Sequence, residues 1–168
     1  MLRLMILITS TILKDCHILR KAHPVMLITR RTDYAIRIMR TIAENENSGP
    51  ISVREIAERD TVPYQFARRI AYDLANAGLV KVTRGARGGA DLARPAEEIS
   101  LLDVITVGQG KPICSRCSLE DSWCENEDSC SVKTALEDLD IIVNEYLEKL
   151  MLDQIIRPVE KRPYPVSA

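Results

Sequence analysis

The chain has few aromatic residues: one tryptophan, one phenylalanine and five tyrosines make up 4% of its 168 residues. A core built almost without rings must come from Leu, Ile, Val and Ala, a composition that leans helical. Histidine is scarcer still, with His17 and His23 the only two, so no imidazole after residue 23 can join a group of thiols. No apolar run is long enough to cross a bilayer. The stretch "MILITSTIL" near the start has the length of a signal-peptide core, but the charged, mixed "KDCHILRKAHPV" follows it without a small-residue cleavage site. A cytoplasmic protein without a membrane partner is expected. In a reducing cytosol, clustered cysteines point to metal or redox chemistry rather than to structural disulfides.

The net charge of −1 hides an asymmetry. Residues 30–94 carry twelve Lys/Arg against eight Asp/Glu, or +4, whereas residues 95–156 carry four against fourteen, or −10. A basic half joined to an acidic half suggests nucleic-acid binding by the first half alone. The competing reading is an ordinary solvated surface. The length suits one domain with a real core, or a domain plus a dimerisation element.

Residues 1–25 read as an upstream extension, with Met26 an alternative start, so Cys16, His17 and His23 are discounted as ligands. A first helix is expected over 32–44, where Tyr34, Ala35, Ile38, Met39 and Ile42 follow the helical repeat. Ser52 and Glu55 have capping-box spacing ahead of a second. A third spans about 63–77, with Pro63 at its first position and Gly78 as its stop. "LVKVT" and "ADLAR" read as strands around "RGARGG", a hairpin with a glycine-rich tip. Ser100 and Asp103 cap a short helix, a cysteine-rich loop follows, and residues 131–156 read as one long helix. The tail 157–168, with three prolines, reads as flexible.

The predicted fold class is mainly α with a small β-hairpin wing: a winged helix-turn-helix over 26–95, a short helix and cysteine loop over 96–131, and a dimerisation helix over 132–156. In such a module the third helix presents its N-terminal residues to base edges. Here these are Tyr64, Gln65, Arg68 and Arg69, and Gln suits adenine as Arg suits guanine. The alternative packs Tyr64 and Phe66 in the core and leaves the arginines merely solvated. In "TRGARGG", Arg84 and Arg87 stand on a thin turn with Gly88 and Gly89, where arginine suits a narrow minor groove. A phosphate-binding loop would need a helix after it, and a strand follows instead. A face of Leu136, Leu139, Val143, Tyr146 and Leu150 on the long helix would be covered by a second copy or by the chain's own domain.

From "MLITRRTDYAIRIM" through "GLVKVTRGARGG" to the long helix, the sequence resembles the IscR/NsrR group of bacterial winged-helix transcription regulators, many of which carry an iron–sulfur cluster. The resemblance implies a homodimer on promoter DNA, usually a repressor tuned by its cluster, without catalysis or a small-molecule substrate. It also implies a motif of three cysteines, each five to seven residues from the next.

The segment "CSRCSLEDSWCENEDSC" holds four of the five cysteines, and Cys117, Cys124 and Cys130 fit that motif. Thiolates are the usual ligands of [2Fe–2S] and [4Fe–4S] clusters. Neighbouring carboxylates disfavour thiolates, a penalty that a cationic metal centre reverses. For the fourth ligand, the position where some relatives carry histidine is Lys133. Another branch of the resembled group uses an aspartate given by the partner subunit, and the matching position is Asp33; Cys114, which adds a C-x-x-C pair, is the third option. Asp33 also reads simply as an acid favourable at a helix N-terminus. Zinc, thiol–disulfide sensing and no ligand role at all are the rivals to a cluster. From other function classes come a small redox enzyme using Cys114 and Cys117, which lacks a thioredoxin-like strand–helix pattern, and a winged helix that binds protein instead of DNA.

Overall fold

The computed structural model describes residues 28–85, 88–114 and 129–156. The expected extension 1–25, the tail 157–168, Arg87, Cys117 and Cys124 lie outside the described residues.

Helix α1 spans Arg30–Glu44 and starts where the Thr29 side chain accepts from the Thr32 N–H. Ala35, Ile38, Met39 and Ile42 turn inward at helical spacing, as the periodicity predicts. Helix α2, Val53–Arg59, is capped by Ser52, whose Oγ accepts from the Glu55 N–H at 3.1 Å. The Glu55 carboxylate pairs with Arg59 at 2.6 Å instead of completing the expected capping box. Helix α3 covers Tyr64–Asn76; Pro63 is its extended N-cap rather than its first helical residue, and Gly78 ends the turn after it at φ 72°.

Strands β1, Val80–Thr83, and β2, Gly89–Leu92, pair antiparallel, with Val80 opposite Leu92 and Thr83 opposite Gly89. A third rung comes from before α2, where Ile51 exchanges hydrogen bonds with Ala90 at 3.0 and 2.8 Å. Gly89 permits this, because a Cβ there would lie 2.5 Å from the Ile51 carbonyl oxygen. Helix α4, Leu101–Gln109, has the full capping box: Ser100 and Asp103 each bond the other's backbone N–H at 3.0 Å.

The expected single helix over 131–156 is two. Helix α5 is Ser131–Lys149; the backbone then extends at Leu150 (φ −86°, ψ 98°) before α6, Leu152–Ile156. The break is bonded into the domain: Leu101 N–H donates to the Leu150 carbonyl at 2.8 Å, and Leu152 N–H to the Ile99 carbonyl at 2.9 Å. It returns Leu152 to the core, where it is 1% exposed beside α1 and α4 residues. Burying Leu152, with Ile155 and Ile156 packed against the same core, outweighs one more turn of exposed helix. The result is a winged helix-turn-helix with a long helix projecting from it. No described helix is long and apolar enough to cross a membrane.

Candidate nucleic-acid interface and cysteine segment

Helix α3 buries Ala67, Ile70, Ala71 and Leu74, a stripe at steps of three and four. That phase fixes what faces outward: Tyr64, Gln65, Arg68, Arg69 and Tyr72 are exposed. Tyr64 and Phe66 are 42% and 56% exposed, which rules out their packing in the core. Phe66 instead meets the Tyr34 ring edge-on at 6.3 Å. Arg54 stacks over Tyr64 at 5.0 Å from the ring centroid and so joins this surface. Sequence reasoning missed Arg54, since its spacing carries no sign of the partner ring. The α3 N-terminus has no side-chain cap, so the positive end of its dipole carries no side-chain partner, and the Phe66 and Ala67 N–H groups donate to the Pro63 carbonyl.

The turn before α3 is held from below. Asp60, its side chain 1% exposed, accepts from the Thr41 hydroxyl at 2.7 Å and from Arg40 at 2.9 Å. Thr61 then takes φ 54°, a left-handed conformation that β-branched residues rarely adopt. The Val62 N–H closes the turn on the Ala57 carbonyl at 2.9 Å.

Between α3 and the wing lies a groove of about 610 Å³, lined by Tyr64, Gln65, Arg68, Arg69, Val82 and Arg84 among others. The predicted readers and one wing arginine therefore share a single concave surface. Gly88 and Gly89 have a different place: Gly89 is buried against Ile51, and a Cβ on Gly88 would fall 2.2 Å from the Thr83 carbonyl oxygen. Their lack of side chains is explained by hairpin packing.

Of the candidate ligands, Cys114, Cys130 and Asp33 are described. Cys114 and Cys130 are free thiols of intermediate burial. Cys114 follows α4, and its backbone N–H donates to the Asp140 carboxylate on α5. A hydrogen bond from the thiol to Asp140, with burial and the carboxylate's charge adding to it, pushes the Cys114 thiol above its ordinary value. Cys130 is the N-cap of α5, at the helix end that favours negative charge. Asp33 stands in the first turn of α1, 43% exposed, bonded to Arg37 at 2.9 Å. Among the described residues no three His, Cys, Asp or Glu side chains converge on one point.

A family model described as Rrf2, iron-dependent transcriptional regulator, matches residues 28–158. The chain belongs to the Rrf2 family. Among relatives of this Rrf2 protein, IscR of Pectobacterium atrosepticum is 28% identical over 135 residues, 80% of this chain and 82% of that one. Protein aau3 of Rhizobium meliloti is 32% identical over 133 residues, 79% and 86% of the two chains. Among solved structures, CymR, the global cysteine regulator of B. subtilis, superposes with a TM-score of 0.65 at 29% identity, covering 77% of this chain and 95% of its own. IscR of T. potens gives 0.62 at 28%, with 77% and 85% covered. This Rrf2 protein is accordingly a DNA-binding transcriptional regulator and not an enzyme.

In this Rrf2 chain the apolar face of α5 divides in two. Leu136, Val143 and Leu150, expected at a subunit interface, are half-buried, and Leu150 is bonded into the domain. Leu139 and Tyr146 are exposed, together with Val132, Ile141 and Ile142. Val132, Leu139, Ile142 and Tyr146 recur at steps of seven, three and four along one outer seam.

Proposed function

We propose that this protein is a homodimeric repressor that binds a partly palindromic promoter site, with DNA affinity set by an iron–sulfur cluster, [2Fe–2S] or [4Fe–4S]. The observation that carries the DNA reading is the shared groove of α3 and the wing. Gln65, Arg68 and Arg69 face base edges there, Arg84 reaches the adjoining minor groove, and the uncapped α3 amides take a phosphate; Arg87 is assigned to the same minor groove from its place in the wing sequence alone. The outer seam of Leu139, Ile142 and Tyr146 is the surface for the second copy, which sets two reading helices on one duplex.

The donor chemistry fits the cluster: three thiols spaced along one segment, with Cys130 at a helix N-terminus. For the fourth ligand the geometry supports Asp33 of the partner subunit over Cys114. The Asp33 carboxylate is held by a solvent-screened pair with Arg37 and is accessible from outside its own subunit. Cys114, by contrast, is held at its backbone N–H by the Asp140 carboxylate on α5. When bound, such a cluster supplies a centre whose charge and ligation respond to small oxidants. The residues of the chain supply the link to the reading helix.

Anaerobic purification should give a coloured protein with iron and sulfide in comparable amounts, and Cys117→Ser, Cys124→Ser or Cys130→Ser should each abolish the colour. Asp33→Ala should alter the spectrum, while Cys114→Ala leaves it unchanged. A colourless protein holding one zinc would remove the cluster and leave the DNA reading intact. A second reading is thiol–disulfide sensing by the same segment. It is supported by the two free, half-buried thiols and by a solved relative, CymR of Staphylococcus aureus, described in an oxidized form, with a TM-score of 0.63 at 28% identity. It predicts that reversible oxidation changes promoter affinity without any metal.

A further inference from the structure

One line of polar contacts joins the start of the cysteine segment to the DNA-reading helix. On α5, buried Asn144 donates from Nδ2 to the Pro112 carbonyl at 3.1 Å, and Asp140 accepts from the Cys114 N–H. These two contacts pin the segment's first residues to α5. Just upstream, the last turn of α4 touches the first turn of α1 at backbone distance. A Cβ on Gly108 would lie 2.5 Å from Thr32 Oγ1 and 2.9 Å from Thr32 Cα. Gln109 Oε1 accepts from the Thr29 N–H and the Thr32 hydroxyl, both at 2.8 Å.

Arg31 stands at this junction. It donates through Nη1 to the Gly108 carbonyl at 2.5 Å and through Nη2 to Asp73 Oδ2 at 2.7 Å. Asp73 belongs to α3, is 19% exposed, and also pairs with Arg69 at 3.4 Å. One guanidinium thus ties the helix end that leads into the cysteine segment to the carboxylate that orients a groove-lining arginine. A planar fork can hold two separated acceptors at once, whereas a lysine ammonium acts as a point charge.

We propose that Arg31 is the positioning residue through which the cysteine segment and the DNA-reading helix sense each other. The proposal rests on the reading that the segment tunes DNA affinity, whatever chemistry the segment carries. When the exit of α4 shifts, the Gly108 carbonyl leaves the reach of Nη1, and Asp73 redistributes between Arg31 and Arg69. Coupling of this kind is reciprocal in its equilibria, so DNA bound at α3 should shift the conformational equilibrium of the α4 exit that Cys114 follows, and the labelling of Cys114 reports the population of the accessible form.

That reciprocity gives a test on the metal-free, reduced full chain. N-ethylmaleimide labelling of Cys114 and Cys130 is followed by peptide mass spectrometry, with and without a saturating promoter duplex. The duplex should change the Cys114 labelling rate of the wild type by at least about fivefold, the low end of ordinary allosteric coupling, and by less than about twofold in Arg31→Gln. Asp73→Asn, which removes the other end of the link, should lose the effect as well. Arg31→Lys should fall between, and with Asp73→Asn it decides the matter if Arg31→Gln does not fold. Loss of one half-exposed pair should move the unfolding midpoint by no more than about 3 °C, which separates positioning from general damage. Arg31→Gln with the wild-type ratio, or a duplex-bound wild type showing no ratio, overturns the link. A wild type that takes up no iron and sulfide on anaerobic reconstitution yet keeps its ratio overturns the cluster reading and upholds the link.

Discussion

Replacing Asp60 with alanine tests whether the turn before the reading helix is anchored as the structure shows. The carboxylate is 1% exposed and accepts from Thr41 at 2.7 Å and Arg40 at 2.9 Å. Thr41 is itself only 2% exposed, so its hydroxyl loses its acceptor in a buried setting. An orphaned buried hydroxyl costs about 1–3 kcal/mol. Arg40 loses less, because it is 43% exposed and keeps Glu44 at 3.6 Å. The total for Asp60→Ala should therefore fall near 3 kcal/mol, roughly the low end for breaking a buried pair. For a chain of this size that is about 6–12 °C in the unfolding midpoint.

Asp60→Asn, which keeps an acceptor for Thr41, should cost about half as much. Arg59→Ala, breaking the exposed pair with Glu55, should cost under about 0.5 kcal/mol. Denaturant unfolding of these variants with Thr41→Val forms a double-mutant cycle in which Asp60 and Thr41 should couple by at least about 1 kcal/mol. Because Thr61 holds φ 54° directly after this anchor, promoter affinity should also fall under conditions where Asp60→Ala remains folded. An Asp60→Ala within about 1 kcal/mol of wild type would refute the anchoring argument.

Three further outcomes follow from the same geometry. Arg84→Ala with Arg87→Ala should weaken promoter binding and lower the salt slope by about one for each phosphate that the wing no longer neutralises, as read by anisotropy titrations across salt; an unchanged slope would show that the wing does not touch the duplex. Ile142→Glu with Tyr146→Glu, two side chains 64% and 60% exposed, should leave the fold intact and turn the dimer to monomer in sedimentation equilibrium, while a persisting dimer would move the interface elsewhere. Asp140→Asn keeps an acceptor for the Cys114 N–H and removes the charge that holds the thiol's proton, so Cys114 should label faster at pH 8 and its rate should rise at lower pH than in wild type; slower labelling would show that Asp140 does not set the thiol's state.

Much of the DNA-binding half could be read from the sequence, because its signals are local and single-phased. The inward set Ala35, Ile38, Met39 and Ile42 has one period, and Ser100 with Asp103 is a cap whose two halves lie three residues apart. Long-range partners had no such mark. Ile51 pairs with Ala90 across α2, α3 and β1, so the sequence shows Gly89 as a loop glycine when it is a packing glycine. The Ser52 box forms only by its first half for a related reason: Arg59 competes for the Glu55 carboxylate at the next turn.

The long helix shows why periodicity alone misplaces an interface. Leu136, Leu139, Val143, Tyr146 and Leu150 advance by three and four, which any wide apolar face satisfies, so one stripe covered two distinct surfaces. The inner surface is marked by a polar residue: Asn144, the one buried side chain of α5, which reaches the Pro112 carbonyl. Once Asn144 faces the domain, Asp140 on the same face must meet the segment after α4, and Leu139, Ile142 and Tyr146 must face away from it. The break at Leu150 follows from the same division. A helix continued past Lys149 would carry Leu152 out along the projecting rod, and only by leaving the helix does the chain return that side chain to the core. The described residues on either side of the thiols are therefore fixed to the domain, Pro112 by Asn144 before them and α5 after them, which is the arrangement that the proposed link through Gly108 and Arg31 requires.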